Sequence, residues 1–87
     1  MSRYRIELRP AAVRALRKLD PGNRPRIHGA IALLAEDPRP PASRPLRGRT
    51  GFWVRVGDYR VVSTIDDAVL LVVVVALGHR REVFRYG

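Results

Sequence analysis

The periodicity of the apolar residues predicts an α+β fold. It is a two-layer sandwich made of an N-terminal strand, a helical hairpin and then an antiparallel three-stranded meander. Three observations carry this expectation. Apolar residues recur at helical spacing between Ala12 and Leu34 and nowhere else. They alternate, or run without interruption, in Tyr4–Leu8, Trp53–Val62 and Val69–Leu77. Prolines at 38, 40, 41 and 45 separate the helical part from the later strands. At 87 residues the chain is read as one domain, 1–87, with a core near the lower limit of sufficiency.

Each element has its own reason. In Tyr4-Arg5-Ile6-Glu7-Leu8, Tyr4, Ile6 and Leu8 share one face of a short strand. Pro10 suits the first turn of a helix, where its missing N–H is not needed. Ala12, Val13, Leu16 and Leu19 then form a stripe, with Arg14, Arg17 and Lys18 between them. Asp20-Pro21-Gly22-Asn23 breaks this helix. A second helix is predicted over Arg24–Glu36, its stripe being Ile27, Ala30, Ile31 and Leu34. Asp37–Pro45 reads as an extended connector without a ladder. Ile65-Asp66-Asp67-Ala68 is a turn, its two carboxylates suited to turn chemistry rather than to a metal. Val69–Leu77 is a central strand, and Gly78 interrupts the pattern after it.

The hairpin Trp53-Val54-Arg55-Val56-Gly57-Asp58-Tyr59-Arg60-Val61-Val62 says most about function. A two-residue turn at Gly57-Asp58 pairs Val56 with Tyr59, and so Arg55 with Arg60. Alternation then puts Trp53, Arg55, Arg60 and Val62 on one face and Val54, Val56 and Val61 on the other. Like charges directly across a strand pair are destabilising by up to about 1 kcal/mol. Two facing guanidinium groups therefore point to an anion, and their geometry suits phosphate oxygens.

Composition agrees. The formal charge is +9 and the isoelectric point about 11.5, as expected of a polyanion binder. Lys18 is the only lysine; a GC-rich genome explains that preference for arginine but not the excess of positive charge. The chain has no cysteine, which excludes disulfides, thiolate chemistry and Cys-based metal sites. Met1-Ser2-Arg3-Tyr4-Arg5 lacks the apolar core of a signal peptide. The longest apolar run, Val69–Leu77, is far short of the roughly 20 residues of a membrane helix. A soluble, cytoplasmic protein with no membrane partner is expected.

The β-α-α-β-β-β order, Asp37-Pro38-Arg39, Leu46-Arg47-Gly48, the Arg55–Arg60 hairpin and Gly78-His79-Arg80 together resemble RelE-type toxins. These belong to the RelE/ParE superfamily of bacterial toxin–antitoxin systems. The resemblance spans Tyr4 to Phe84. It implies an endoribonuclease that cleaves mRNA in the ribosomal A site, with neither metal nor cofactor. Its partners would be a cognate antitoxin, the ribosome and mRNA. The reaction has the ribose 2′-OH attack the adjacent phosphate, which needs a base, an acid and cations around the developing charge.

Position by position, the resemblance assigns Arg55 and Arg60 to the scissile phosphate and Arg80 to the charge that develops there. Trp53, Arg81, Phe84, Arg47 and Arg49 are expected to contact RNA. Trp53 stands where some relatives have a basic residue, and either stacks a base or covers Val62. Phe84 corresponds to a C-terminal tyrosine of many relatives and cannot exchange a proton. Tyr86, two residues on, is the candidate substitute. His79, with Arg60, Arg80 and Arg81 around it, is a candidate general base as the neutral imidazole. His28 is read as structural, and Glu82 as an ion-pair partner. The cations Arg14, Arg17, Lys18, Arg24 and Arg26 suit either docking on rRNA or a solvated helix face. Two alternatives remain open: a non-enzymatic, ParE-like inhibitor of DNA gyrase, or an attenuated toxin homologue. A simple nucleic-acid-binding module is a third.

Overall fold

Local backbone chemistry sets where the elements begin and end. The computed structural model describes residues 3–79. Strand β1 (Arg5–Leu8) leads into helix α1 (Pro10–Arg17), which has Pro10 in its first turn as expected. Asp20 holds the following turn: its carboxylate accepts the backbone N–H groups of Gly22 at 3.0 Å and Asn23 at 3.2 Å, and the Asn23 side-chain amide at 2.7 Å. Helix α2 follows over Arg24–Leu34. Both helices stop two residues short of the sequence expectation. Their last turns tighten into i→i+3 bonds, Leu19 to Leu16 at 3.2 Å and Glu36 to Leu33 at 3.1 Å.

The remaining strands are β2 (Ser43–Pro45), β3 (Phe52–Val56), β4 (Tyr59–Asp66) and β5 (Leu71–His79). They form one sheet with β1, in the order β1-β5-β4-β3-β2. Strand β1 runs parallel to β5, and every other pair is antiparallel. The architecture is the expected α+β sandwich, with the meander β3-β4-β5 and β5 in its interior.

Two expectations are corrected. The proline-rich connector is not free of ladder: Ser43, Arg44 and Pro45 pair with Val54, Trp53 and Phe52. Proline is tolerated there because β2 is an edge strand, with one side free of ladder bonds. Nor does Gly78 end the last strand, which continues through it to His79.

Both helices pack on one face of the sheet. Ala12, Leu16, Leu19, Ile27, Ile31 and Leu34 bury against Val61, Val72, Val74 and Leu77, with Tyr4, Ile6, Val54, Val56, Tyr59 and Ile65 at the margin. Burying each such aliphatic side chain contributes about 1.5–3 kcal/mol before conformational entropy is subtracted. Helix α2 runs across the sheet. Its first turn lies beside the β3–β4 turn, where Arg26 approaches Gly57, and Ala35 beyond its end accepts the Tyr4 N–H at 2.7 Å. The other face has a smaller apolar cluster of Leu46, Val62 and Ala76, flanked by Trp53 and Val75. One step along β4, from Val62 to Ser63, matches two along β5, from Ala76 to Val74, so Val75 is the extra residue of a β-bulge. Among the described residues no helix is long and apolar enough to cross a membrane.

Candidate functional site

The hairpin places its arginines as the alternation predicts. Arg55 pairs with Arg60, and Val56 with Tyr59. Gly57 has φ +62° and Asp58 has no positive φ, which is the pattern of a turn with glycine at its first central position. Val54, Val56 and Val61 join the helix-side core, while Trp53 and Val62 join the opposite cluster. Arg55 and Arg60 therefore lie on the helix-free face.

Arg60 is the best-positioned cation there. Its guanidinium carbon lies 4.1 Å from the centre of the Trp53 ring. On its other flank the β5 partner is Gly78, which has no side chain to crowd it. Its Nε is buried and has no hydrogen-bond partner among the described residues. The indole holds one side of the guanidinium plane by cation–π attraction, leaving the donors to find their partners elsewhere. Trp53 thus packs with the Val62 cluster and stacks on an arginine with one face of its ring.

Arg55 takes a different course. It is exposed, and its Nε donates to the Gly57 carbonyl at 2.9 Å, which draws the side chain toward the turn. Sequence reasoning missed Arg44. As part of β2 it pairs directly with Trp53 and so joins the same face. The only available signal was the Ser-Arg-Pro segment itself, hidden among prolines.

His79 is not brought together with Arg60. Because β5 runs on through Gly78, His79 pairs with Tyr59 and takes the opposite face. Its ring meets the Tyr59 ring edge-on at 6.0 Å between centroids. Arg47 and Arg49 are exposed in the β2–β3 loop, at the end of β3 away from Gly57. Arg80, Arg81, Phe84 and Tyr86 lie outside the described residues. Of the described residues that the ladder assigns to the helix-free face, none is a histidine. The described part of the site therefore supplies cations and an aromatic support. No group of three or more metal-ligating side chains occurs among the described residues.

The model of the ParE toxin of type II toxin–antitoxin systems matches residues 6–84. The chain belongs to this ParE toxin family. Solved RelE-type complexes share the fold of this RelE/ParE toxin. A chain of the toxin–antitoxin complex RelBE2 from Mycobacterium tuberculosis is 31% identical and superposes with a TM-score of 0.80, over 92% of this chain and 94% of that one. A chain of the intact E. coli RelBE complex is 25% identical, with a TM-score of 0.76 over 87% of this chain and 95% of that one. The isolated E. coli RelE toxin gives 25% and 0.76, over 87% and 83%. No curated protein sequence matches the toxin.

Proposed function

We propose that this RelE/ParE toxin is a ribosome-dependent endoribonuclease that cleaves mRNA and is neutralised by a cognate antitoxin. The observation that carries this reading is Arg60: supported by Trp53, with a buried Nε that lacks a partner among the described residues, on a face shared with Arg55 and Arg44. A guanidinium in this state is organised before a ligand arrives, which is what stabilisation of a developing charge requires.

In the reaction the ribose 2′-oxygen attacks phosphorus and the bond to the 5′-oxygen breaks. The products are a 2′,3′-cyclic phosphate and a free 5′-hydroxyl. Arg60 and Arg55 bind the non-bridging oxygens, and Arg80 stabilises the charge that builds on them. A base takes the 2′-OH proton and an acid gives one to the leaving oxygen. Arginine, with a pKa above about 12, serves poorly as the base. We assign proton exchange to Tyr86, since His79 pairs with Tyr59 on the other face. Arg81, Phe84, Arg47 and Arg49 are assigned to RNA contacts. The reading places the toxin in the cytoplasm with ribosomes. A segment of the antitoxin that folds on binding would cover the cationic face; the solved relatives from M. tuberculosis and the RelBE complex of E. coli are themselves toxin–antitoxin complexes.

Arg60→Ala tests the assignment. It should lower cleavage of ribosome-bound mRNA about a hundredfold, the usual effect of removing one organised donor, with little change in melting temperature. A folded variant that cuts at the parental rate would overturn it. A second reading, inhibition of DNA gyrase without cleavage of RNA, is favoured by the family model that matches, which describes ParE toxins.

A further inference from the structure

A second cationic surface lies around the end of the β3–β4 hairpin. Asn23, Arg26, Arg55, Gly57, Asp58, Tyr59 and His79 line a cleft of about 450 Å³ between this turn and the first turn of α2. We propose that the cleft is a phosphate-binding subsite for a single RNA strand, in which Arg26 joins Arg55 to hold a backbone phosphate next to the one at Arg60.

Arg26 is placed against the preferences of its own helix. The first turn of α2 contains Arg24 and Arg26 and no acidic residue, at the helix end where the backbone dipole favours anions and disfavours cations. Arg24 has a structural use that offsets this. Its Nη2 donates to the Leu19 carbonyl at 2.8 Å and the Arg17 carbonyl at 3.4 Å, closing the end of α1. Arg26 has no such use: no hydrogen bond or ion pair of its side chain occurs among the described residues. Instead its guanidinium lies against Gly57, with both terminal nitrogens 3.3 Å from where a Cβ would stand. A glycine at this turn thus serves the positive φ and also leaves room for Arg26.

Arg55 connects the two sites. It belongs by register to the face of Arg60, but its bond to the Gly57 carbonyl turns it toward the cleft. The α2 dipole adds positive potential to the same cleft. Asp58 also lines it, but forms no ion pair with Arg26 or Arg55 among the described residues. The chemistry recognised is a phosphate with exposed oxygens, whether a phosphodiester or the free ion. The RNA identity of the strand rests on the function proposed above; phosphate binding at the cleft does not.

The test measures binding of a short 2′-O-methyl oligoribonucleotide, which cannot be cut by 2′-OH attack, as a function of salt. Arg26→Gln should weaken binding and reduce the slope of log K against log salt by about 0.7, the share of one phosphate on a single strand. Arg5→Gln, at the distant edge strand, should leave the slope unchanged. A parallel titration with inorganic phosphate should shift the Gly57 and Asp58 amides of the parent and not of Arg26→Gln. An unchanged slope for Arg26→Gln overturns the subsite, even if free phosphate shifts the amides. Equal losses in Arg26→Gln and Arg5→Gln also overturn it, since net charge alone would then explain the effect. A parent that binds the strand through Arg26 yet leaves ribosome-bound mRNA intact supports the subsite and refutes only the cleavage reading.

Discussion

At the scale of single residues, Trp53 and Arg60 form one device. The indole replaces flexible surroundings with a flat support, so that a guanidinium whose buried Nε has no partner among the described residues keeps one orientation. Cation–π contacts contribute about 0.5–2 kcal/mol depending on desolvation. Trp53→Leu should therefore lower cleavage by roughly two- to thirtyfold, whereas Trp53→Phe, which retains a ring, should recover part of the loss. Single-turnover cleavage at saturating ribosomes distinguishes these outcomes, and equal rates in the two variants would remove the positioning role. Gly57 makes a separate prediction. Its φ of +62° costs a residue with a Cβ about 1–2 kcal/mol, and the added methyl would press on Arg26. Gly57→Ala should lower the melting temperature, and Arg26→Ala should not. Phe84→Tyr tests the assignment of proton exchange: if Tyr86 carries it, Phe84→Tyr changes little, while Tyr86→Phe reduces cleavage by the 10²–10⁴-fold expected for a lost acid or base.

At the scale of elements, the proline-rich connector is held at both ends. At one end β2 pairs with β3. At the other, Arg39 reaches across to the β4–β5 turn, where its guanidinium makes a two-point bond to Asp67 at 2.9 and 3.2 Å. It also lies 5.4 Å from the centre of the Phe52 ring. Asp67 further accepts the Tyr4 hydroxyl, so one carboxylate joins the start of β1, the connector and the turn. The bond to Arg39, followed by that to Tyr4, holds the Asp67 carboxyl below the usual carboxylate range. Its stabilising contribution is thus complete above about pH 4, the value for an unfolded carboxyl, and is lost as pH falls through the lower folded value. The same bond to Asp67 raises the Tyr4 hydroxyl; that contribution is present below about pH 10 and disappears as pH rises through the raised folded value. Thermal melts across pH should show Asp67→Asn less sensitive than the parent at both extremes. Parallel curves would exclude the clasp. None of this was legible in the sequence. The hairpin was, because strict alternation and a Gly-Asp turn determine register locally. The connector was misread because four prolines outweigh three paired residues in any local pattern. The i→i+3 ends of the helices are likewise set by backbone bonds that apolar spacing does not report.

At the scale of the whole molecule, the helices cover one face of the sheet and leave the cations of the hairpin on the other, so the two-layer architecture itself separates core from site. That separation was readable, since Arg55 and Arg60 fall out of phase with Val54, Val56 and Val61. The cleft at the hairpin end was not, because it depends on α2 running across the sheet until Arg26 meets Gly57. His79 was expected beside Arg60 and instead pairs with Tyr59 for a related reason: a glycine read as a break is an ordinary strand position, which reverses the face of the next residue. With a charge of +9 the toxin's association with RNA should weaken steeply as salt rises. The central claim is that these cations act on mRNA at the ribosome, and the most direct measurement is a map of mRNA 5′ ends after brief expression of the toxin. The account predicts new 5′-hydroxyl ends inside translated codons, absent for Arg60→Ala. Intact mRNA accompanied by DNA damage would contradict it and identify the toxin as a gyrase inhibitor.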